Sequence, residues 1–479
     1  MIEKNIILPG NPRYQPKKMI PHFGYDNLYQ KLAEVEIATL QTLGEIGIIP
    51  PKEMAKLTPE LIKKIKEIPT TEVDQIERKV TKHDVRAWVR KAQHIINGKL
   101  RRWVHIPLTS YDPLDTGRML QFRDAYCYAL KPSLYEVVLA LIKIVEKYAD
   151  QIQIGRTHGQ HALPITVGFW LATILDRIMY NWQQMDTCVS VLVGKISGAV
   201  GAHNAQIGLS LTGFNAKDSF EALVLKKLNL KPARISTQIL PPEPLAYFLF
   251  SASMLSATLG QFGRDCRNLM RTEIAEVAEA FEKNQVGSST MGHKRNPITF
   301  EGLEGGWIRT KNELSKLLDN LISEHQRDLV GSSITRDYPI IVINLQKQLD
   351  TLLRKKKGIS FLERITIDRD NCQRNFEMSS DVILAEPLYI ALQMAGYDKD
   401  AHELVNRQLV PLAKEKNISL IEALERFCIE DASLSIIKDK IPVKVLELLH
   451  HPERYTGDAK EKALEIANYA REWSQKLIE

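Results

Sequence analysis

Residues 244–263, PLAYFLFSASMLSATLGQFG, run for twenty residues without a charge. As one helix such a segment extends about 30 Å. That is long enough to cross a bilayer, and too long to be covered by a small bundle. Its three serines, threonine, glutamine and three alanines are poor company for lipid, and it stands alone in the sequence. The reading we adopt is a helix buried on all sides by other long helices. It predicts an assembly larger than one small bundle and no membrane span.

The rest of the chain supplies such partners. Stretches without internal proline occur at about 132–153, 165–194 and 244–281, and another runs from Asn296-Pro297 toward 325. Apolar residues recur every three or four positions in DNLYQKLAEVEIATLQTLGEIG, from a candidate cap at Asp26 to Gly47. Thr58 and Pro59 have the cap and first-position chemistry of a helix start. Alternating strand patterns are scarce. The expected fold class is therefore all-α, a long-helix bundle. A coarse division is 1–110, a helical lobe; 111–365, the long helices; and 366–479, a second helical lobe.

Charge and cysteine content exclude more than they identify. A net charge of +6 over 479 residues is mild, and no block of five like charges appears. Nucleic-acid binding has no motif behind it, while an anionic substrate fits. The five cysteines are scattered and odd in number, with no Cys-x-x-Cys, so packed thiols in a reducing compartment are expected, with no disulfide framework and no zinc site. The first ten residues, MIEKNIILPG, carry no signal-peptide pattern.

Polar groups concentrate in a few stretches. GSSTMGHKRNP, 287–297, places two serines, a histidine, a lysine, an arginine and an asparagine on a glycine-hinged loop. Asn296 and Pro297 are suited to starting the helix that follows. The loop is either a basic surface loop or a site lid. The glycines behind it, 302, 305 and 306, cost a helix about 1 kcal/mol each, which close helix packing or an approaching ligand would offset. GRTHGQHALP, 155–164, spaces His158 and His161 to share one helix face, but offers no third metal ligand. TKHDV places His83 and Asp84 at a helix start. Hydroxyls gather in LTSYDPLDT, 108–116, and arginines flank serines in RDLVGSSITR, 327–336, and precede a tyrosine in NPRYQPKKM, 11–19. Arginine and hydroxyl groups suit phosphate or carboxylate.

Together these stretches resemble the fumarase/aspartase superfamily. The loop is similar to its Gly-Ser-Ser-x-Met-Pro-x-Lys-x-Asn signature. Within the superfamily, RY…M at 13–19, TKHDV at 81–85, TS…DT at 109–116, GRTHGQHA at 155–162, SGAVGA at 197–202, TQI at 237–239, QRDL…S…R at 326–336 and AHELVNR at 401–407 follow the order of the adenylosuccinate lyases. The resemblance implies a long central helix bundle flanked by two smaller helical domains. It also implies a cytoplasmic homotetramer with sites shared between protomers. It implies β-elimination of fumarate from a succinylated purine nucleotide, with neither cofactor nor metal.

The same resemblance implies roles. Ser288 is the base, with Ser289 second; Lys294 and Asn296 stabilise the dianion formed when the proton leaves. His158 is the general acid, a role the near-neutral pKa of histidine suits; His83 helps bind the phosphate or orients His158, and Asp84 belongs to the substrate-binding set. Arg13, Tyr14, Arg327, Ser332 and Arg336 bind phosphate. Thr109, Ser110, Thr157 and Gln238 hold the succinyl carboxylates or the base, and Glu301 supports the histidine network. Three positions depart from the family pattern: Gly292 for proline, Leu163 for glutamate and Gly331 for aspartate. Against this reading stand a sister lyase or cycloisomerase with another carboxylated substrate, and a non-catalytic homologue that kept the fold.

Overall fold

The computed structural model describes residues 15–211, 219–280, 291 and 293–478. Its principal helices are α1 (Gln30–Glu45), α2 (Asp84–Ile95), α3 (Tyr111–Ala125), α4 (Lys131–Lys147), α5 (Val167–Ser190), α6 (Glu243–Leu269), α7 (Ile298–Asp319), α8 (Pro339–Leu352) and α9 (Arg369–Ser380). Strands are few and short: β1 (Ile152–Thr157) with β2 (Gln160–Thr166), β3 (Val193–Gly194) with β4 (Lys231–Pro232), and β5 (Val277–Ala278) with β6 (Thr366–Ile367). The long helices fall where the proline-free stretches predict them, and the class is all-α as expected.

The chain gathers into two compact units, each built from separated stretches. One comprises residues 1–135, 180–260 and 303–351; the other comprises 136–179, 261–302 and 352–479. Every change of unit falls inside a long helix.

In the first unit α1 crosses α3 at Gly117, where a Cβ would stand 3.1 Å from the Leu32 backbone nitrogen; only glycine permits that approach. The core behind it is aromatic. Phe122 and Tyr126 each place a ring 6.2 Å from Phe248. Buried Tyr126 satisfies its hydroxyl by donating to Asp186, 2.6 Å, and accepting from the Trp182 indole, 3.1 Å. Helix α6 resolves the polar content of its uncharged run internally. Ser253 donates to the Leu249 carbonyl, and Ser256 to the Gln348 side chain at 2.7 Å. Among the described residues α6 is the one helix long and apolar enough to cross a membrane, and two thirds of that window is buried. Burial on all sides is not what the single chain shows. Tyr247, Phe250 and Met254, spaced three and four apart on one face, are exposed.

The second unit is centred on an apolar cluster of the C-terminal region, including Phe376, Leu384, Leu388, Leu404, Leu420 and Leu424. Ile154 of β1 is buried in this cluster, and Leu163 of β2 packs against it. Leu163, a departure from the family pattern, thus anchors the hairpin to the C-terminal region.

Three local expectations are corrected. Asp26 lies in a 3-10 turn, Tyr25–Asn27, ahead of α1, and does not cap it. GRTHGQH is a β-hairpin, so His158 and His161 do not share a helix face. His158 and Gly159 take positive φ, 54° and 76°, as a two-residue hairpin turn requires. Helix α7 begins at Ile298, one residue past Pro297. Its Thr299 and Phe300 N–H groups donate to the Glu279 carboxylate, 2.7 and 2.9 Å, so a buried acid from a distant segment does the capping. Burial pushes the Glu279 carboxyl up, and the hydrogen bonds at the helix start oppose it. Of the three glycines in α7, Gly306 alone meets a neighbour, Gln348; a Cβ on Gly302 or Gly305 would enter open space.

Candidate active site

Two constellations carry the candidate chemistry, one in each unit. In the first, the Arg327 guanidinium lies flat over the Tyr111 ring, 3.4 Å from its centre. It donates to Gln238 Oε1 at 2.7 Å, to Ser332 Oγ at 2.9 Å and to the Asp328 carbonyl at 3.1 Å. The Tyr111 and Ser332 hydroxyls are 2.6 Å apart. The loop beneath is held by Asp328. Its carboxylate accepts from the Glu324 and Val330 N–H groups and from Ser323, and these bonds hold it below the usual carboxylate range. A cleft of about 70 Å³ opens here, lined by Tyr111, Asp115, Arg118, Leu240, Arg327 and Ser332. Arg336, on the same segment, is exposed. Gly331 is pressed against the Asn320 side chain, leaving no room for the aspartate of the family pattern without a shift.

Beside this cluster a buried ion pair organises the hydroxyl turn. Lys195 and Asp112 are both fully buried and paired. Asp112 also accepts from the N–H groups of Thr109 at 2.8 Å, Ser197 at 3.1 Å and Gly198 at 3.2 Å. The turn with Thr109 and Ser110 is thereby fixed to the SGAVGA stretch, and both predicted residues sit half-buried at the start of α3. His83 caps α2 through Nδ1, which lies 3.4 Å from the Arg86 backbone nitrogen and 3.2 Å from Asp84 Oδ1. Asp84 Oδ1 accepts from the Val85 N–H at 2.7 Å.

In the second unit Thr157 and His158 form the exposed end of the β1–β2 hairpin. The strand below them is held by Glu276, whose carboxylate takes two bonds from Arg156 and one each from Gln153 and Asn375. His161 is turned to Ser379, 2.8 Å away. Burial lowers its imidazole, Arg156 adds to that, and the Glu276 charge opposes both. Lys294 is exposed and Asn296 half-buried ahead of α7, and Glu301, itself exposed, stands in the first turn, where the helix dipole favours an acid. Arg13, Tyr14, Ser288, Ser289 and Gly292 lie outside the described residues.

The arrangement therefore brings together Gln238, Arg327 and Ser332, and separately orders Thr109 with Ser110 and His83 with Asp84. Sequence reasoning missed Tyr111, Lys195, Asp112, Arg156 and Glu276. Tyr111 directly follows Ser110 in the hydroxyl-rich turn. Lys195 reads in sequence as an ordinary surface lysine; nothing in its neighbourhood signals burial.

Kinship defines the class as a lyase. The sequence model of the family described as Lyase matches residues 18–310. The 3-carboxy-cis,cis-muconate lactonizing enzyme of Pseudomonas putida shares the fold, with a TM-score of 0.78 over 96% of this chain and 98% of that one, at 23% identity. Adenylosuccinate lyase of Pyrococcus abyssi is 34% identical over 98% of this chain and 99% of its own length. That of Pyrococcus horikoshii is 35% identical over the same shares. The chain belongs to the adenylosuccinate lyase family of this class.

Proposed function

We propose that the chain releases fumarate from adenylosuccinate, giving AMP, and from the succinyl-aminoimidazole carboxamide ribotide (SAICAR), giving AICAR, in purine biosynthesis. The observation that carries this is the full-length kinship to adenylosuccinate lyases together with an arginine already held flat between tyrosine, glutamine and serine, a seat for a phosphate dianion. Arginine presents five donors. Three of Arg327's bonds are to neutral protein oxygens, so charge remains for a ligand. Ser332, Arg336, Arg13 and Tyr14 complete the phosphate site. Thr109, Ser110, Thr157 and Gln238 take the succinyl carboxylates.

The reaction breaks a C–H and a C–N bond and forms a C=C bond. Ser288 removes the proton from the carbon next to a carboxylate. The electron pair enters that carboxylate as a dianion, which Lys294 and Asn296 stabilise by aimed positive charge and N–H donors. As the pair returns to form the double bond, the C–N bond breaks and His158 gives its proton to the leaving nitrogen. His83, with Asp84, orients His158 or the phosphate, and Glu301 supports the histidines. None of these steps requires a metal or cofactor.

The enzyme works as a cytoplasmic homotetramer in which each site draws the stretches near 83, 158 and 288 from different protomers. The exposed Tyr247, Phe250 and Met254 on α6 support this, because an apolar face of that kind is an association surface. The deciding experiment follows fumarate in the ultraviolet with both nucleotides and with argininosuccinate. Release from the two nucleotides alone is expected; release from argininosuccinate alone would establish the sister-lyase reading, and no release the non-catalytic one.

A further inference from the structure

Glu276 is a buried acid of the second unit with partners on both its side chain and its backbone. Its side chain is fully buried. Arg156 grips it with both terminal nitrogens, 2.6 and 3.1 Å, while Gln153 and Asn375 each donate at 2.8 Å. The backbone is tied as well: its N–H donates to the Leu269 carbonyl at 3.0 Å, and its carbonyl accepts from Asp368 at 2.9 Å. One residue later β5 begins its pairing with β6. The acid is thus a fixed point, and two of its three side-chain donors belong to β1.

Those donors, Gln153 and Arg156, bracket an irregularity. The β1–β2 register shifts between Ile154 and Arg156, and the turn at His158 and Gly159 follows at once. The turn-side pairs, Arg156 with His161 and Thr157 with Gln160, are therefore offset from the pairing of Ile152 to Ile154 and do not simply continue it. An arginine–carboxylate fork ties the offset end down, since two parallel bonds fix direction as well as distance.

We propose that Glu276 is a positioning residue for the reaction: through its fork with Arg156 it sets the register at which the β1–β2 hairpin presents His158 to the leaving nitrogen. This rests on the reading of His158 as the general acid. A misplacement of about 1 Å at a reacting group costs about 10²-fold in rate. Binding by the Arg327 cluster is a separate matter, so the loss falls on kcat and not on KM.

The test uses the full-length enzyme and four variants, with kcat expressed per folded protein. The parent enzyme and His158→Ala come first. A parent that releases no fumarate, or a His158→Ala protein with parental kcat, removes the reading of His158 and with it the role of Glu276. Glu276→Gln is then expected to lower kcat roughly 30- to 100-fold with KM within about threefold. It also leaves Arg156 buried without its partner, so its melting temperature falls. Adding Arg156→Gln removes the unpaired charge. The double variant Arg156→Gln, Glu276→Gln is expected to regain most of the melting temperature while kcat stays low, since two amides lack the fork. If kcat returns with the melting temperature, the pair only stabilises the fold and the proposal is overturned, with the reading of His158 intact. Should Glu276→Gln alone fail to fold, the double variant decides the matter by the same readout. Arg156→Lys, which keeps the charge and loses the fork, is expected to match the double variant in kcat; parental kcat in this protein would equally overturn the proposal.

Discussion

The Arg327 cluster and the His158 hairpin are built on opposite plans. Around Arg327 the polar groups are already bonded to one another: guanidinium to amide, hydroxyl and carbonyl, and hydroxyl to phenol. At the hairpin the end itself is exposed, and the bonding lies beneath it in Glu276 and Arg156. A group that binds charge gains from being held in its binding geometry before the ligand arrives, because less ordering remains to be done. A proton donor must instead leave its nitrogen free for substrate, so its order has to come from the strand below.

The contrast predicts different signatures on mutation. The largest effect is expected at the hairpin. His158→Ala should lower kcat about 10³- to 10⁴-fold, the upper range of general acid catalysis, with little change in KM. Mixed with an equally inactive Ser288→Ala protein and reassociated, about a quarter of sites should regain both groups by symmetry counting. Mixed tetramers, verified by tagged co-purification, that stay inactive would place both groups in one protomer or misassign one of them.

Next in size is a stability effect in the first unit. Lys195→Met leaves Asp112 buried without its cation, a loss of about 3–5 kcal/mol in denaturant unfolding. Adding Asp112→Asn should recover part of it. A loss below about 1 kcal/mol for the single variant would mean that the pair is not what fixes the Thr109 turn.

At the binding cluster the change should appear in KM. Arg327→Ala is expected to raise KM for adenylosuccinate about 10- to 100-fold, the worth of one or two charge-assisted bonds. Exposed Arg336→Ala should raise it less, by severalfold. Equal effects would show that the flat stacking on Tyr111 contributes nothing. An unchanged KM in both folded variants would remove the phosphate role and revive the sister-lyase reading.

The smallest effect concerns pH. The hydrogen bond that His203 donates to the Glu221 carboxylate raises its imidazole above the ordinary value. A raised folded-state pKa adds stability that is fully present below about pH 6.5 and fades as pH rises through the raised value. His203→Gln should abolish this slope, a matter of about 0.2–1 kcal/mol for a partly exposed pair. A slope that survives in His203→Gln would assign it to other groups.

Much of this was legible in the sequence, for identifiable reasons. Helical periodicity and absent prolines located α4 to α7 because both act within a few residues. Thr58 caps its helix as read, accepting from the Leu61 N–H at 3.3 Å. The resemblance paired Arg327 with Ser332 but set Gln238 with the succinyl carboxylates or the base; that Gln238 bonds Arg327 emerges only in the structure, since nothing local joins residues so far apart. The failures were also physical. His158 and His161 have helical spacing, but Gly159 favours the positive φ of a hairpin turn. Asn296-Pro297 has cap chemistry, yet the cap is Glu279, which local pattern cannot reach. Lys195 and Glu276 look like surface charges until their partners, far along the chain, are in place.

The hairpin's dependence on the C-terminal cluster has a consequence for the order of synthesis. Residues 152–166 leave the ribosome long before Phe376, Leu404 and Leu424, against which Ile154 and Leu163 pack, and before Asn375, which completes the shell of Glu276. A nascent chain therefore holds the sequence of its proposed proton donor while lacking the surface that seats it. The residues that line the first unit's Arg327 cleft have all been made by residue 338. The two constellations are thus delivered in sequence, and the last hundred residues decide when the hairpin can take its final place.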